Sequence, residues 1–343
     1  MSLQRIIPLL MIVSLGGCEW ASQPGPQSAE NISHAISSIS AAHVYKHIDA
    51  LQMPAGLPSR IAFTPGFDSA VSYVRRAFSS IPNLTSVELD TFFVSTATPP
   101  LNAKALVNVV ATLRGSTQPE KQVVVGAHLD CSASFVGTSV WNSTWSTIRA
   151  PGADDNASGV AGVLEIARVL SETSPELTLK FIAFGAEELV PAYNLGYSLL
   201  GSAVYVGRAV ARGDQVVAMI NLDMIAYNPQ SLFCDIAADS TSTFIGQLAV
   251  DLNAAYNIGL TMRQQPFSPG RSSDHASFWD AKIPAVLFIE NFPPRQATPY
   301  YPSNSYYHLP SDSLSHLNMD LARRITQLAG ATALALAKPT RAK

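Results

Sequence analysis

The chain has 343 residues, of which 47% are hydrophobic and 14% charged, and its formal net charge at pH 7 is −3. Lysines and arginines are scattered along the sequence, which argues against nucleic acid or an anionic lipid surface as a partner. A globular stretch of about 300 residues is large for one hydrophobic core but common for one α/β domain.

The first residues have the pattern of an export signal. Arg5 precedes an apolar stretch over 6–15, which is too short to span a bilayer because a spanning helix needs about 20 residues. Residues 15–18, LGGC, resemble the lipobox of bacterial lipoproteins. We therefore predict a lipoprotein-type signal peptide over 1–17 and a lipid on Cys18; the alternative is an ordinary cleaved signal with an incidental cysteine. The expected location is the periplasm or cell surface, with the lipid as the only membrane contact.

The residues after this signal divide into a polar segment and a long patterned region. Residues 18–42 are polar and rich in proline, glycine and serine, which favours a flexible tether. Globular patterning begins near His43, and no second linker, internal repeat or membrane-length apolar run follows it. The sequence therefore predicts a single folded domain over residues 43–339.

The first part of this domain, residues 43–115, contains one or two amphipathic helix patterns and two strand patterns. One helix pattern is SAVSYVRRAF (69–78), and the strand patterns are VELDTFFV (87–94) and ALVNVVATL (105–113). We expect these strands to form a lateral part of the same sheet as the strands that follow.

Strand and helix patterns alternate from residue 122 onward. The strand patterns are QVVVGAH (122–128), LTLKFIAF (177–184), VVAMINLDM (216–224), SLFCDIAA (231–238) and IPAVLFIE (283–290). The helix patterns are GVAGVLEIARVL (159–170), GSAVYVGRAV (201–210), FIGQLAVDLNAAY (244–256) and DLARRITQLAGATALALA (320–337). This order predicts an α/β fold, a three-layer sandwich whose mixed, mostly parallel β-sheet carries helices on both faces.

Five short segments bring together two histidines and a surplus of carboxylates. They are GAHLD (126–130), PGADDNASG (151–159), AFGAEEL (183–189), NLDM (221–224) and YYHLPSD (306–312). The first four lie at the end of a strand pattern or at the start of a helix pattern. Because open α/β sheets bind ligands at the carboxyl ends of their strands, we expect these side chains to form one site.

The charge of these segments favours bound metal. If the five acids converged in one cleft, each uncompensated ion would cost several kcal/mol, and none of the segments contains a basic residue. The acids are Asp130, Asp155, Glu187, Glu188 and Asp223. Two Zn²⁺ ions would balance three ligand carboxylates and a bridging hydroxide, and histidine with carboxylate suits zinc, with Mn²⁺ or Co²⁺ also possible.

Two of these segments also have structural explanations when each is taken alone. An isolated pair such as His128 and Asp130 is more often a hydrogen-bonded histidine at a strand end, although a metal-bound imidazole also needs such a carboxylate. Asp154 and Asp155 precede a helix pattern, where acids favour capping. Adjacent side chains diverge, so we expect only one of these two aspartates to bridge metals.

The other three segments differ in how strongly each one alone indicates a metal site. Glu187 and Glu188 follow a buried strand pattern, and both reach one site only if the chain leaves the sheet there. Asp223 lies inside an apolar run and needs a partner. His308, in an aromatic and proline-rich loop, is by itself typical of a surface histidine. Residues 274–275 read as the start of a capped helix, and we do not count the histidine there as a ligand.

Taken together, the five segments resemble the zinc metallopeptidase family of the bacterial leucyl aminopeptidases, which also contains glutaminyl cyclases and glutamate carboxypeptidases. The resemblance covers nearly all of the mature chain and adds a family-typical SDH segment at 273–275. It implies a zinc aminopeptidase fold and five metal ligands: His128 and Asp223 on one ion, Glu188 and His308 on the other, and Asp155 as the bridge.

The resemblance also implies the remaining catalytic roles. Glu187 would be the general base, and Asp130 the partner that orients His128. Tyr307, next to His308, is a candidate hydrogen-bond donor to the tetrahedral oxyanion, with a packing role as the alternative. The implied activity is hydrolysis of the N-terminal residue of peptides by water activated between two zinc ions.

Three other functions remain open at this point. The long loop before Gly201 and its YSLLGS ending resemble glutaminyl cyclases, which hold one zinc and use aromatic pocket walls that Tyr193 and Tyr307 would supply here. Against that, GADDNASG is the aminopeptidase form, and the tryptophans expected in a cyclase pocket are replaced by tyrosines. A carboxypeptidase of the same family is another alternative. A binding protein on this fold would have lost ligand positions, and none of the five is lost.

Two cysteines remain after the predicted lipidation of the first. Cys131 and Cys234 both belong to or follow metal-site strands, and an exported compartment permits a disulfide. The alternative is a pair of buried free thiols.

Overall fold

The computed structural model describes residues 26–196, 198–265 and 271–338, which form one eight-stranded sheet with helices on both faces. The strands are β1 (Ser86–Phe92), β2 (Leu106–Leu113), β3 (Gln118–His128), β4 (Leu177–Phe184), β5 (Gln215–Leu222), β6 (Phe233–Ala238), β7 (Thr261–Gln265) and β8 (Ala285–Ile289). The helices are α1 (Pro26–Ser38), α2 (Ala41–Gln52), α3 (Pro65–Ser79), α4 (Thr138–Thr144), α5 (Gly159–Leu170), α6 (Leu200–Arg212), α7 (Thr243–Ala255), α8 (His275–Asp280) and α9 (Met319–Leu336).

The sheet has the strand order β1-β2-β4-β3-β5-β8-β6-β7. Strands β4, β3, β5 and β8 are parallel, whereas β2 and β6 run antiparallel to their neighbours β4 and β8. The chain passes from β3 to β4 on one side and then to β5 on the other, so the strand order switches beside β3. Ligands of open α/β sheets bind at such a switch, and β3 ends at His128. The predicted three-layer fold is confirmed.

The two faces of β3 show why the helices form two layers. Val123 and Val125 belong to the larger core, which also contains residues of α1, α2, α3, α5, α7 and α9. Val124 points to the opposite face, as alternation along a strand requires, and packs with residues of α6 and α8, including Phe278. A strand buried on both faces has the continuous apolar run seen at 123–125.

The N-terminal part of the described chain is helical where the sequence suggested a tether. Helix α1 contacts α9, and Ile32, Ala35 and Ile39 are buried in the larger core. The prediction of a flexible tether over residues 18–42 is therefore wrong from residue 26 onward. The apolar residues recur at helical spacing, which the surrounding serines obscured.

The predicted signal peptide over residues 1–17, the lipid site at Cys18 and the first part of the tether lie outside the described residues. Within the described part of the chain, no helix combines the length and hydrophobicity needed to cross a membrane.

Two elements had no clear signal in the sequence. Strand β7 has the polar sequence TMRQQ and pairs only with β6 at the end of the sheet. Because one edge of such a strand lies away from the sheet, it does not need the apolar pattern of β3 or β5. Helix α4 lies in the long segment between β3 and α5, where no periodic pattern was recognised.

Candidate metal centre

A cavity of about 640 Å³ opens at the carboxyl ends of β3, β4 and β5. Its lining includes all five predicted metal ligands and the predicted general base: His128, Asp155, Glu187, Glu188, Asp223 and His308. The side chains come from four separate loops and one strand end, so the topological switch beside β3 brings together residues that are 180 positions apart in sequence.

Asp155 lies between two sets of side chains. Its Oδ1 atom is 3.1 Å from Nε2 of His128, and that nitrogen is also 3.4 Å from Oδ1 of Asp223. Its other oxygen, Oδ2, is 3.0 Å from Nε2 of His308, which is 2.9 Å from Oε1 of Glu188. Each oxygen of Asp155 thus faces one histidine paired with one further carboxylate, the arrangement expected of a carboxylate that bridges two ions.

The donor set fits divalent metal. His128, Asp155 and Glu188 each offer a ligand atom within 4.8 Å of the others, and all three are buried. Within the described residues, Oδ1 of Asp223 is buried with no hydrogen-bond donor, although a buried carboxylate oxygen normally has one. Histidine nitrogens and carboxylate oxygens in this number suit zinc.

The electrostatics of the cluster show what a metal would replace. Burial lowers the pKa of both histidines, but the nearby carboxylates raise it by more. The strongest of these carboxylates is Asp223 for His128 and Glu188 for His308. The pKa of His128 is therefore well above its ordinary value, and that of His308 rises to about 10. Burial raises the pKa of Asp155, but its hydrogen bonds with the two histidines hold it well below the usual range. The cluster therefore binds protons strongly, and metal binding here would release them.

The two glutamates both reach the cavity because the chain turns sharply after β4. Ala186 has a φ of 59°, and the backbone N–H groups of Glu187 and Glu188 donate to Oδ1 and Oδ2 of Asp130, each at 3.0 Å. Asp130 thus holds the turn that presents both glutamates. Its Oδ1 lies 3.7 Å from Nδ1 of His128, which is longer than a hydrogen bond, so the orienting role of Asp130 stays a prediction.

A second buried aspartate performs the same task for the loop of Asp155. Asp312 accepts hydrogen bonds from the backbone N–H groups of Asp154 and Asp155, each at 3.0 Å, and is itself buried. Asp312 was assigned no role from the sequence, although it ends the fifth segment. Its charge in the same segment as the predicted ligand His308 was the available signal.

Asp154 lies in a helical turn, Ala153–Ser158, that leads into α5, but neither the turn nor α5 has a side-chain capping bond. Its Oδ1 accepts the backbone N–H of Ala226 at 3.0 Å, and its Oδ2 accepts from the side-chain amide of Asn304 at 3.1 Å. Asp154 therefore ties its own loop to the loops that follow β5 and precede His308. The capping alternative is wrong, and the expectation that adjacent side chains diverge is confirmed.

His308 is positioned by its own loop and by the segment after β3. Oγ of Ser134 lies 3.0 Å from Nδ1 of His308, and the backbone N–H of Phe135 donates to the carbonyl of His308 at 3.1 Å. The first bond leaves Nε2 facing the carboxylates, as a metal ligand requires. Ser134 was missed because it lies in a segment of the sequence without a recognised motif.

Tyr307 lines the cavity with its ring against that of His308, at a centroid distance of 3.8 Å. Burial, followed by the charge of Asp155, raises the pKa of Tyr307 well above its ordinary value, so the hydroxyl stays protonated and able to donate. Both roles named for Tyr307 are therefore compatible with its position.

The other aromatic residues near the site differ from expectation. Tyr193 is fully buried against Phe63 and does not line the cavity, so it does not form a pocket wall. Trp141 of α4 does line the cavity, although the sequence analysis placed no tryptophan there. Helix α4 carries it toward the site from a segment without a recognised pattern.

The SDH segment borders the cavity through Ser273, which lines it. Helix α8 begins at His275, as predicted, but Asp274 makes no capping bond with its side chain. The ring of His275 packs against Trp279 at 4.4 Å and is not among the residues that line the cavity, in keeping with its exclusion as a ligand.

The two cysteines are free and buried. Burial raises the pKa of the Cys131 thiol to about 12 and that of Cys234 further. Of the two alternatives, the structure therefore has the pair of buried thiols, which are protonated and unreactive at neutral pH.

Known proteins are similar in sequence to part of this chain. The uncharacterized protein YfbL of Escherichia coli strain K12 is 29% identical over 241 residues, which is 64% of this chain and 68% of YfbL. Aminopeptidase YwaD of Bacillus subtilis strain 168 is 32% identical over 173 residues, which is 50% of this chain and 34% of YwaD. The match thus spans only about a third of YwaD.

Solved structures share the fold. The LapA aminopeptidase of Legionella pneumophila superposes with a TM-score of 0.71 at 22% identity, covering 93% of this chain and 78% of LapA. A Bacteroides thetaiotaomicron glutaminyl cyclase superposes with a TM-score of 0.62 at 18% identity, covering 87% of this chain and 98% of the cyclase. The similarity at these identities concerns the fold, whereas the family rests on sequence: residues 108–333 match the model of peptidase family M28. The chain therefore belongs to peptidase family M28, a family of zinc metallopeptidases.

Proposed function

We propose that this M28 metallopeptidase is an aminopeptidase that holds two zinc ions and hydrolyses the N-terminal residue of peptides. The observation that carries the proposal is the position of Asp155, whose two oxygens lie 3.1 and 3.0 Å from the two histidines. His128 and Asp223 would hold one ion and Glu188 and His308 the other. Bound zinc lowers the pKa of a water molecule to about 7 and polarises a substrate carbonyl.

Glu187 is the general base in this proposal. It lines the cavity, and no ion pair of the described residues joins it to either histidine, unlike Glu188 and Asp155. Burial raises the pKa of Glu187 well above its ordinary value, which brings the carboxylate closer to the pKa a base needs at neutral pH. Glu187 takes a proton from the attacking water and returns it to the leaving amine.

The same carboxylates explain the choice of the N-terminal residue. Two zinc ions would balance Asp155, Glu188, Asp223 and a bridging hydroxide, which leaves Glu187 as a net negative charge in the cavity lining. That charge attracts a free α-ammonium group, which the neutral interior of a polypeptide lacks. Binding of this charged end places the first peptide bond, rather than an internal one, next to Glu187.

A glutaminyl cyclase is the second candidate, because Trp141 and Tyr307 give the cavity two aromatic walls. Cyclisation of an N-terminal glutamine needs one metal and no added water. The number of ions and the product therefore separate the two functions, and a carboxypeptidase is separated by the end of the peptide that is shortened.

The first test counts zinc per chain and compares three substrates. We expect two zinc ions, release of leucine from leucine p-nitroanilide, and cleavage of the tripeptide Leu-Ala-Phe into leucine and Ala-Phe. Leu-Ala and phenylalanine as the first products would instead identify a carboxypeptidase. One zinc ion, with cyclisation of a glutaminyl peptide and no anilide hydrolysis, would identify a cyclase and contradict the proposal.

We also propose that the protein is exported as a lipoprotein anchored through Cys18, on the basis of the LGGC sequence at 15–18. Each buried methylene of the lipid contributes about 0.8 kcal/mol to membrane binding. Cys18→Ser is therefore expected to move the protein from the membrane fraction to the soluble fraction, as measured by fractionation and immunoblotting. Cys131→Ser is the matched control, since that thiol is buried in the domain. Unchanged membrane binding of Cys18→Ser would contradict the anchor.

A further inference from the structure

An arginine stands at the mouth of the metal cavity. Phe292 and Pro294, which precede Arg295 in the chain, line the cavity. The guanidinium carbon of Arg295 lies 4.9 Å from the centre of the Phe135 ring, which also lines the cavity. The Phe135 ring is in turn 5.1 Å from the ring of His308. The two distances together set an upper limit of about 10 Å between the guanidinium carbon of Arg295 and the centre of the His308 ring.

The guanidinium of Arg295 has an aromatic contact but no anionic partner among the described residues. Other arginines of this protein, such as Arg263 and Arg323, pair with nearby aspartates. In the described chain no carboxylate pairs with Arg295, whose side chain is exposed and rests on the face of Phe135. A cation held by an aromatic face keeps its N–H groups available for a ligand.

The charges of the cavity suggest which ligand this is. The residues that line it include four carboxylates, and no lysine or arginine is among the lining residues that the structure describes. A short peptide carries an ammonium group at one end and a carboxylate at the other. With two zinc ions and a bridging hydroxide bound, the three ligand carboxylates are balanced and Glu187 leaves a net negative charge, which attracts the first group and repels the second. A cation outside the cavity wall therefore favours a peptide with a nearby C-terminus. Arg295 supplies a cation in that place.

The distances fit short peptides. One extended residue spans about 3.3–3.6 Å, so the C-terminal carboxylate of a dipeptide or tripeptide lies roughly 4–8 Å beyond the scissile carbonyl. A carboxylate at this distance stays inside the upper limit of about 10 Å that the two ring distances set between the Arg295 guanidinium and the His308 ring. The terminus of a longer peptide would extend past the cavity mouth.

We propose that Arg295 binds the C-terminal carboxylate of dipeptides and tripeptides, so that the preferred substrates are small peptides rather than long polypeptides. The inference rests on the aminopeptidase function proposed above. The planar guanidinium is suited to a two-point contact with a carboxylate, and it rests on Phe135, which lines the cavity.

The test compares two substrates that differ in one group, Leu-Gly and Leu-Gly-amide. We expect the wild-type enzyme to have a kcat/KM for Leu-Gly about three- to tenfold above that for the amide, as an exposed but well-oriented ion pair provides. Arg295→Gln is expected to remove this preference by raising KM for Leu-Gly alone, and Arg295→Lys to retain part of it. Arg114→Gln is the matched control, because this exposed arginine precedes β3 at the opposite end of the sheet.

The outcomes separate this inference from the function on which it rests. Equal kcat/KM for the two dipeptides in the wild type, or an unchanged ratio in Arg295→Gln, would overturn the role of Arg295 while leaving the aminopeptidase intact. Absence of hydrolysis of both dipeptides and of leucine p-nitroanilide would instead refute the aminopeptidase. Calorimetric binding of both dipeptides to the Glu187→Gln enzyme gives the same comparison without turnover, and equal dissociation constants there would also overturn the proposal.

Discussion

Glu187→Gln is expected to lower kcat by about 100-fold or more while the bound zinc remains unchanged. Loss of a general base typically costs a factor of 10² to 10⁴ in rate. The amide has nearly the shape of the carboxylate, and the backbone N–H of Glu187 keeps its hydrogen bond to Asp130, so the turn after β4 is retained. The measurements are steady-state kinetics on leucine p-nitroanilide and the zinc content of the purified protein.

The matched variant is Glu188→Gln, one residue further along. Glu188 lies 2.9 Å from Nε2 of His308, and its substitution is expected to reduce zinc content as well as activity. Both glutamates donate their backbone N–H groups to Asp130 at 3.0 Å, so backbone support is the same for the two variants. Full activity in Glu187→Gln would contradict its role as the base. Zinc loss in Glu187→Gln, with retention in Glu188→Gln, would mean that the two roles are exchanged.

The sequence was sufficient for the part of the site that depends on strand ends. Each buried strand of a parallel sheet is an apolar run, and the residue that follows it must lie at the carboxyl edge. His128, Glu187 and Asp223 each occupy such a position, at the end of β3 or just after β4 and β5. Their convergence therefore follows from the strand pattern, and the charge count then indicates metal.

The parts that depend on long-range packing were not accessible in this way. Asp312 and Ser134 contact backbone or ring atoms more than 150 positions away, and no local pattern encodes such a contact. Helix α1 buries its apolar side chains only because α9, at the other end of the chain, covers them. Trp141 also lines the cavity, and no local pattern of the sequence indicated that position.

Arg60 is the clearest example of a residue whose role only the folded chain reveals. It is fully buried and has no carboxylate among its hydrogen-bond partners in the described chain. Its Nε atom donates to the carbonyl of Leu129 at 2.7 Å, and one terminal nitrogen donates to the carbonyl of Gly152 at 2.6 Å. The other terminal nitrogen serves the carbonyls of Pro151 and Leu51. One guanidinium thus joins the loop after His128 to the loop before Asp155.

Arg60→Met is expected to lower the free energy of unfolding by about 3 kcal/mol or more. Methionine fills much of the volume but leaves up to three buried carbonyls without a donor, since that of Gly152 also accepts from the N–H of Ala157. Each costs about 1–3 kcal/mol, offset in part because a buried charge is also removed. Arg60→Lys, with three donors on one nitrogen, should fall between wild type and Arg60→Met. The measurement is urea unfolding of the zinc-loaded protein, accompanied by zinc content, which should fall because two ligand loops lose their common anchor.

The control for Arg60→Met is Arg75→Met on the exposed face of α3, which removes the same charge and adds the same side chain. Surface substitutions of this kind change stability by about 0.5 kcal/mol or less. If the two methionine variants unfold at the same urea concentration, the carbonyl bonds of Arg60 contribute no net stability and the two loops are held by other contacts. If Arg60→Met yields no folded protein, the comparison of Arg60→Lys with Arg75→Met decides the question. A lysine variant that equals the control in both stability and zinc content would show that the position requires only a buried cation and not the forked set of donors that spans both loops.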